Sequence, residues 1–386
     1  MSMAATKKLF DNGTLFEFDA AVLSCVKSES GYEVMLDRSA FFPEGGGQPG
    51  DTGRLGSAAV TDTFERDGEV IHICSSPLEP GSTVHGAVDE KVRIRRMQNH
   101  SGEHLLMGFI HRKYGLENVG FRLGASDVTL DLDGVISPEA LAECELLANE
   151  AIARDVPVTV SYPSPEELSR TEYRSKLEMT ENVRLVTIEG IDVCACCAPH
   201  VSSTGMIGIV KVLWTESSRG GTRVHILCGL DALELFSRRL EGNARISRLL
   251  SAKPENTAEA VERLLNENNE LKRRLRELEI QRTDELIASL GSERRGSFCV
   301  FAKGLNADSL RRVANAAVLL TDGAAGVFCE TEGGCSYIIA SNSIPLRAKA
   351  KEINSALNGR GGGSDTMIQG SVTAGRERIE EYFRNL

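Results

Sequence analysis

Two short pairs of residues set the hardest constraint on this chain. His100 and His104 stand four apart in NHSGEHLL, and Cys196 and His200 repeat that step in CACCAPHVSSTG, 96 positions after the first pair. On a helix a four-residue step puts two imidazoles on one face, within reach of one ion. Three nitrogens and one thiolate make a tetrahedral zinc set, so the spacing predicts one Zn2+ per chain. The fold must then carry residue 196 back onto residue 100. Which sulfur binds stays open: Cys194 and Cys197 form a CxxC of their own, and either could replace Cys196 or serve as a redox pair. The mirrored spacing favours Cys196. The remaining cysteines are scattered along 386 residues, which is not the dense pattern of a small disulfide scaffold.

The length predicts two or three domains, and the chain divides by pattern into four stretches of an α+β protein. Residues 1–90 hold short runs rich in Val, Thr, Ile and Phe, at 16–27, 32–37, 58–64, 70–74 and 83–88, separated by Gly, Pro, Asp and Ser. A small β-barrel or sandwich is expected there, and among its strands sits FFPEGGGQPGDTG, residues 41–53. Residues 91–229 read as an α+β domain around the zinc set, with helices over 99–114 and 138–154 packed on a mostly antiparallel sheet. Residues 230–290 read as a helical hairpin broken at Ala252-Lys253-Pro254. Its second arm carries Val261, Leu264, Asn268, Leu271, Leu275 and Leu278 at alternating a and d positions, a stripe that packs on the first arm or forms a homodimer seam. Residues 291–386 read as a C-terminal α/β domain, β-α-β-β-α, ending in a glycine-rich loop, GRGGGSD, at 359–365.

A net charge of −11 argues against a protein whose whole surface grips nucleic acid, because phosphate binding rests on Lys and Arg. Local patches stay open. From residue 296 onward there are ten Lys or Arg and nine Asp or Glu, so this part is near +1 and the remainder about −12. The first 13 residues hold two lysines and no apolar core of a signal peptide, and no run of about 18 apolar residues occurs anywhere. The expectation is a soluble, cytoplasmic protein without a membrane partner.

Taken in order, FFPEGGGQPGDTG, NHSGEHLL and VRLVTIEGIDVCACCAPHVSSTG resemble the three signature blocks of the alanyl-tRNA synthetase editing domain and of the freestanding alanyl-tRNA editing proteins. The resemblance covers residues 8–230. The hairpin and the GRGGGSD domain look like the C-terminal tRNA-binding domain of alanyl-tRNA synthetase, which points to the long form of the freestanding family. No class II aminoacylation domain precedes the blocks, so the chain is not expected to charge tRNA. The resemblance implies hydrolysis of mischarged Ser-tRNA(Ala), and of Gly-tRNA(Ala), at the acceptor end of tRNA(Ala). Such a second site has a physical purpose: a pocket for alanine cannot exclude glycine by size and rejects an added hydroxyl only by roughly 10².

Carried over by the same resemblance, His100, His104, Cys196 and His200 are the metal ligands, and Gln48 lies beside the editing pocket. Gly45, Gly46 and Gly47 form a loop whose bare backbone can approach the tRNA end, though a tight turn explains the same glycines. Thr129 and Asp131, in GFRLGASDVTLDLD, match a block that lines the pocket; surface decoration of a strand is the plainer alternative. The chain departs from the family at Cys197-Ala198-Pro199, where glycine-glycine-threonine is usual, and at Arg122, where histidine is common. A catalytically inactive tRNA-binding or regulatory module is therefore the second reading. An unrelated zinc hydrolase fits less well, because Glu103 directly precedes His104 and HExxH is absent. RNA contact would come from Lys91, Arg93, Arg95 and Arg96, and from Arg347, Lys349, Lys351 and Arg360; each group could equally be a solvated helix face.

Overall fold

Alternating apolar residues between glycine turns close the N-terminal stretch into an antiparallel barrel of six strands. The computed structural model of the chain describes residues 6–124, 126–175, 183–218 and 220–386. The barrel strands are β1 (Glu17–Ser28), β2 (Gly31–Leu36), β3 (Gly53–Leu55), β4 (Ala58–Arg66), β5 (Glu69–Cys74) and β6 (Thr83–Val88), paired in the order β1-β2-β5-β4-β3-β6 and back to β1. Closure removes exposed sheet edges. Phe18, Val22, Val34, Leu36, Phe41, Leu55 and Val60 point inward and fill the lumen.

Asp89 then caps α1 (Glu90–Tyr114), its side chain accepting from the Val92 N–H. The helix starts nine residues before the stretch expected from periodicity alone. From Met97 to Ile110 every residue is buried, so this stretch of the helix has no solvent face. Two glycines let it lie close to its neighbours. A Cβ on Gly102 would stand 2.3 Å from Cys228 Sγ, and one on Gly108 would stand 2.8 Å from Asp192 Cβ. Glycine inside a helix costs about 1 kcal/mol against alanine, and close packing of α1 is what it permits here.

Around α1 stand β7 (Asn118–Leu123), β8 (Val128–Leu132), α2 (Pro138–Ala153), β9 (Val158–Ser161), β10 (Leu185–Ile188), β11 (Asp192–Ala195), β12 (Val210–Ser218) and β13 (Gly221–Cys228). They form a four-stranded antiparallel sheet, β12-β13-β8-β7, and a three-stranded one, β9-β10-β11. Leu105, Leu106, Val128, Leu130, Val224 and Ile226 share one core between helix and sheet.

The described residues divide into two compact units, Met1–Asn243 and Ala244–Leu386, and the boundary falls inside α3 (Gly229–Leu250). After a break that includes Pro254, α4 (Thr257–Ala288) begins the second unit's main helix. The apolar stripe of α4 differs from one expectation. Leu264, Leu271, Leu275 and Leu278 are each more than half exposed, so the stripe is not buried against a first arm. The end of α4 is anchored instead: Leu286 and Ile287, with Leu290 just beyond, pack with Leu310 and Val313.

The rest of this unit is β14 (Phe298–Lys303), α5 (Ala307–Ala317), β15 (Ala324–Thr331), β16 (Gly334–Ser341), α6 (Leu346–Ala356), β17 (Gly359–Gly363), β18 (Met367–Val372) and α7 (Arg376–Arg384). The five strands run β14-β15-β16-β18-β17, with only β14 and β15 parallel. GRGGG is thus an edge strand and not a loop. Its glycines are needed for approach, since a Cβ on Gly361 would stand 2.4 Å from Tyr337 Oη and 2.3 Å from Gln369 O. Apolar residues cover both sheet faces, Val313 and Val327 on one and Phe328, Ile353 and Phe383 on the other. No described helix is long and apolar enough to cross a membrane.

Candidate metal centre

The GGGQ segment folds as a tight turn between barrel strands. Gly45 and Gln48 exchange backbone hydrogen bonds of 3.0 Å, and the inner residues Gly46 and Gly47 sit at φ +58° and +84°. A side chain at Gly47 would meet Phe121 O at 2.5 Å, so glycine is required there by conformation and by space. The turn is tied to β7 by Leu123 N–H donating to Gly47 O at 2.9 Å. It turns the Gln48 side chain inward, wholly buried, where Oε1 lies 2.9 Å from His100 Nδ1.

A second tie holds this turn to the foot of α1. Arg93 and Asp51 form a completely buried ion pair, in which Arg93 also donates to Gly13 O and Ala40 O, at 3.2 and 2.6 Å. Asp51 Oδ2 accepts as well from the Phe42 N–H at 2.7 Å. Every polar atom of the clamp has work in the fold, which is the condition for a buried pair to be tolerated.

About two turns further along α1, the two histidines meet Cys196 and His200 from the loop after β11. The ligand atoms of His100, His104, Cys196 and His200 all lie within 4.8 Å of one another. Cys196 Sγ stands 3.6 Å from His100 Nε2 and 3.3 Å from His200 Nε2. Donors bonded to one tetrahedral ion at about 2.0–2.3 Å stand at such separations from each other. The three imidazoles are buried, and each has its own polar neighbour, hydrogen-bonded to His100 and His200 and charge-paired at longer range with His104. His100 Nδ1 meets Gln48, His200 Nδ1 is 2.9 Å from Ser101 Oγ, and His104 Nδ1 is 3.6 Å from Asp192 Oδ2. Partners of this kind fix which nitrogen is left for a metal.

Charge agrees with geometry. Burial pushes His200 down to about 3, which keeps it neutral. Burial opposes ionisation of the Cys196 thiol, but His100 and His200 outweigh it and hold that thiol well below its ordinary range. Burial likewise disfavours charge on His104, yet Cys194, Asp192 and Cys196 lift it well above 6.5. A cation at the cluster and a proton on His104 thus answer the same negative charge. Burial would raise the Asp192 carboxyl; Arg174, at 2.8 Å, and His104 overcome this and keep it ionised. The donor set fits a divalent ion. Of the three neighbouring thiols Cys196 is the one gathered with all three imidazoles, while Cys194 groups with His104 and Asp192.

The cluster opens on a cavity of about 320 Å³, lined among others by Gly46, Glu103, Asn118, Phe121, Arg174 and Cys197. Gln48 and the four ligands are thus brought together, with Gly46 at the cavity wall. Thr129 and Asp131 are not. On β8 the residues Val128, Leu130 and Leu132 face the core, so strand alternation turns Thr129 and Asp131 to the opposite side. There Asp131 takes a two-pronged bond from Arg223, at 2.7 and 2.9 Å.

The basic run before the first histidine pair is not an open face either. Arg93 is buried with Asp51, Arg95 is paired with Asp231 and Glu234, and Arg96 donates to Gly50 O at 2.7 Å. In the second unit Arg347, Lys351 and Arg360 are exposed, and Lys349 pairs with Glu352 at 2.9 Å. Sequence reasoning missed Ser101, Asp192, Asn118 and Arg174. Ser101 and Asp192 were within reach of it, since both lie inside the motif blocks.

Comparison with known proteins places these features in context. A family model described as the threonyl and alanyl tRNA synthetase second additional domain matches residues 183–225, and one for class II (A) tRNA synthetases matches residues 7–92, the barrel segment. The chain is 29% identical to the alanyl-tRNA editing protein AlaX-L of Pyrococcus horikoshii, over 95% of this chain and 94% of that protein. It is 28% identical to the alanyl-tRNA editing protein Aarsd1 of Mus musculus, over 94% and 93%. An alanine–tRNA ligase of Pyrococcus abyssi is 30% identical over 98% of this chain, which spans only 43% of the ligase.

Proposed function

We propose, from the premise that this chain is of the long alanyl-tRNA editing type, that it hydrolyses the aminoacyl ester of mischarged tRNA(Ala), with seryl-tRNA(Ala) as the main substrate and glycyl-tRNA(Ala) as the second. The observation that carries the reading is the convergence of His100, His104, Cys196 and His200 in one cluster opening on a cavity. These four residues would hold one zinc ion per chain. Bound there, zinc supplies positive charge that attracts the ester oxygens.

The chain's own residues do the rest. Gln48 holds His100 and Ser101 holds His200, each through the nitrogen that faces away from the cluster, and the Asp192 carboxylate stands 3.6 Å from His104 Nδ1. Gln48 and these partners act by positioning. Gly46 offers a wall without a side chain, along which the terminal ribose of the acceptor end could lie. The exposed cations Arg347, Lys351 and Arg360 supply a place for the tRNA backbone.

Deacylation of Ser-, Gly- and Ala-tRNA(Ala) side by side tests the reading. Rapid loss of serine with alanine spared is expected. His104→Ala should lose zinc, measured by metal analysis, and lower the rate by at least about 10²-fold. A zinc-free His104→Ala protein that hydrolyses seryl-tRNA(Ala) normally sinks the metal-site reading. Intact esters together with a retarded RNA band would mark a binding module.

A further inference from the structure

Among the described residues Glu103 is a buried acid on the cavity wall with only one of its two oxygens hydrogen-bonded. Its side chain is 4% exposed. One oxygen, Oε1, accepts from Asn118 Nδ2. The other, Oε2, accepts no hydrogen bond among the described residues and stands 3.9 Å from His104 Nε2, at the cavity wall. Among the described residues, neither guanidinium group on the same cavity donates a hydrogen bond to Glu103. Arg174 places Nε and Nη2 on Asp192, both at 2.8 Å, and Arg184 gives Nε to Asp11 and Nη1 to the carbonyls of Cys196 and Ala198, while its Nη2 has no partner among the described residues. A carboxylate removed from water needs a donor or a cation opposite it. Oε2 is the oxygen left open to a donor entering the cavity.

We propose that Glu103 receives the α-ammonium group of the aminoacyl ester, so that the site takes esters of free α-amino acids and discriminates against esters that lack this nitrogen. The proposal rests on the editing reading and specifies which part of the substrate is read. A single carbon separates the ammonium from the ester carbonyl. An ester lying at the His104 end of the cavity therefore brings its nitrogen within reach of an oxygen 3.9 Å from His104 Nε2. Seryl, glycyl and alanyl esters all carry the group, so Glu103 selects the class of ester and leaves side-chain choice to other walls. An ammonium donating to a carboxylate is a charge-assisted bond, and a hydroxyl in its place loses the charge.

The test compares seryl-tRNA(Ala) with its α-hydroxy analogue, in which a hydroxyl of similar size replaces the amine. The unaltered protein should favour the amino ester by about 10- to 100-fold in kcat/KM, the range of a hydrogen bond to a charged group. Glu103→Gln keeps the size and the acceptor for Asn118. It should lower the rate on the amino ester by that factor, leave the hydroxy ester within about twofold, and retain zinc. Equal hydrolysis of both esters by the unaltered protein overturns the Glu103 assignment and leaves editing standing, as does a Glu103→Gln protein that keeps the preference. Loss of zinc from Glu103→Gln also overturns it, by giving the carboxylate to the metal set. Hydrolysis of neither ester overturns editing and this assignment together.

Discussion

Two runs of basic residues meet opposite fates in this protein. Between Lys91 and Arg96 the guanidinium groups are absorbed by the fold: Arg93 by Asp51, Arg95 by Asp231 and Glu234, Arg96 by the carbonyl of Gly50. On α6 and β17, Arg347, Lys351 and Arg360 stay exposed. Composition is similar, but the helix that carries the first run enters a core, while α6 keeps one face in water. A basic run on a buried helix is part of a scaffold. Its charge is available to a ligand only where the run stays outside.

The largest effect that separates the two runs should come from the buried pair. Asp51→Ala leaves the Arg93 guanidinium uncompensated in the interior, and breaking such a pair costs about 3–5 kcal/mol. Denaturant unfolding should show that loss, and zinc content should fall too, because Asp51 and Arg93 fasten the GGGQ turn that holds Gln48 against His100. An unchanged midpoint would mean that the first run is as dispensable as the second.

The legibility of the site follows the same division. His100 with His104, and Cys196 with His200, could be read because each pair is local and four residues apart; the structure brings both together. The Arg93 and Asp51 clamp could not, since 42 residues separate its halves and no periodicity links them. Thr129 and Asp131 show a different limit. Alternation says that they share a face of a strand, but not which face the core will take, and Val128 and Leu130 took it. GRGGG was misread because glycine signals a loop by composition, whereas an edge strand pressed on Tyr337 needs glycine for space. The barrel strands were visible because their runs alternate between turns. Glu103 was visible only as the residue that spoils HExxH.

Acid gives the next contrast. All seven histidines lie in residues 1–243. His72 is buried in the barrel, between Ser39 Oγ at 2.7 Å and Val34 O at 3.0 Å, and burial pushes it down to about 4. The unfolded chain takes up that proton near 6.5, but the folded barrel resists it until about 4. The stability from His72 is therefore complete above pH 6.5 and lost as pH falls toward 4, about 3 kcal/mol in all. Unfolding followed between pH 7 and 5 should weaken the first unit more than the second, which has no histidine. His72→Gln should flatten the fall, and equal sensitivity of both units would remove the contrast.

The smallest effect belongs to the exposed run. Arg347→Ala, Lys351→Ala and Arg360→Ala together touch no described ion pair, so stability should stay within about 0.5 kcal/mol. Their effect should appear in RNA binding alone. Each phosphate contact contributes about 0.7–0.9 to the slope of log affinity against log salt, so losing three should reduce that slope by about 2. Salt titration of tRNA(Ala) binding measures it. If the slope is unchanged while Asp51→Ala proves destabilising, exposure alone does not make a basic run an RNA site, and the tRNA backbone must be held by another part of the chain.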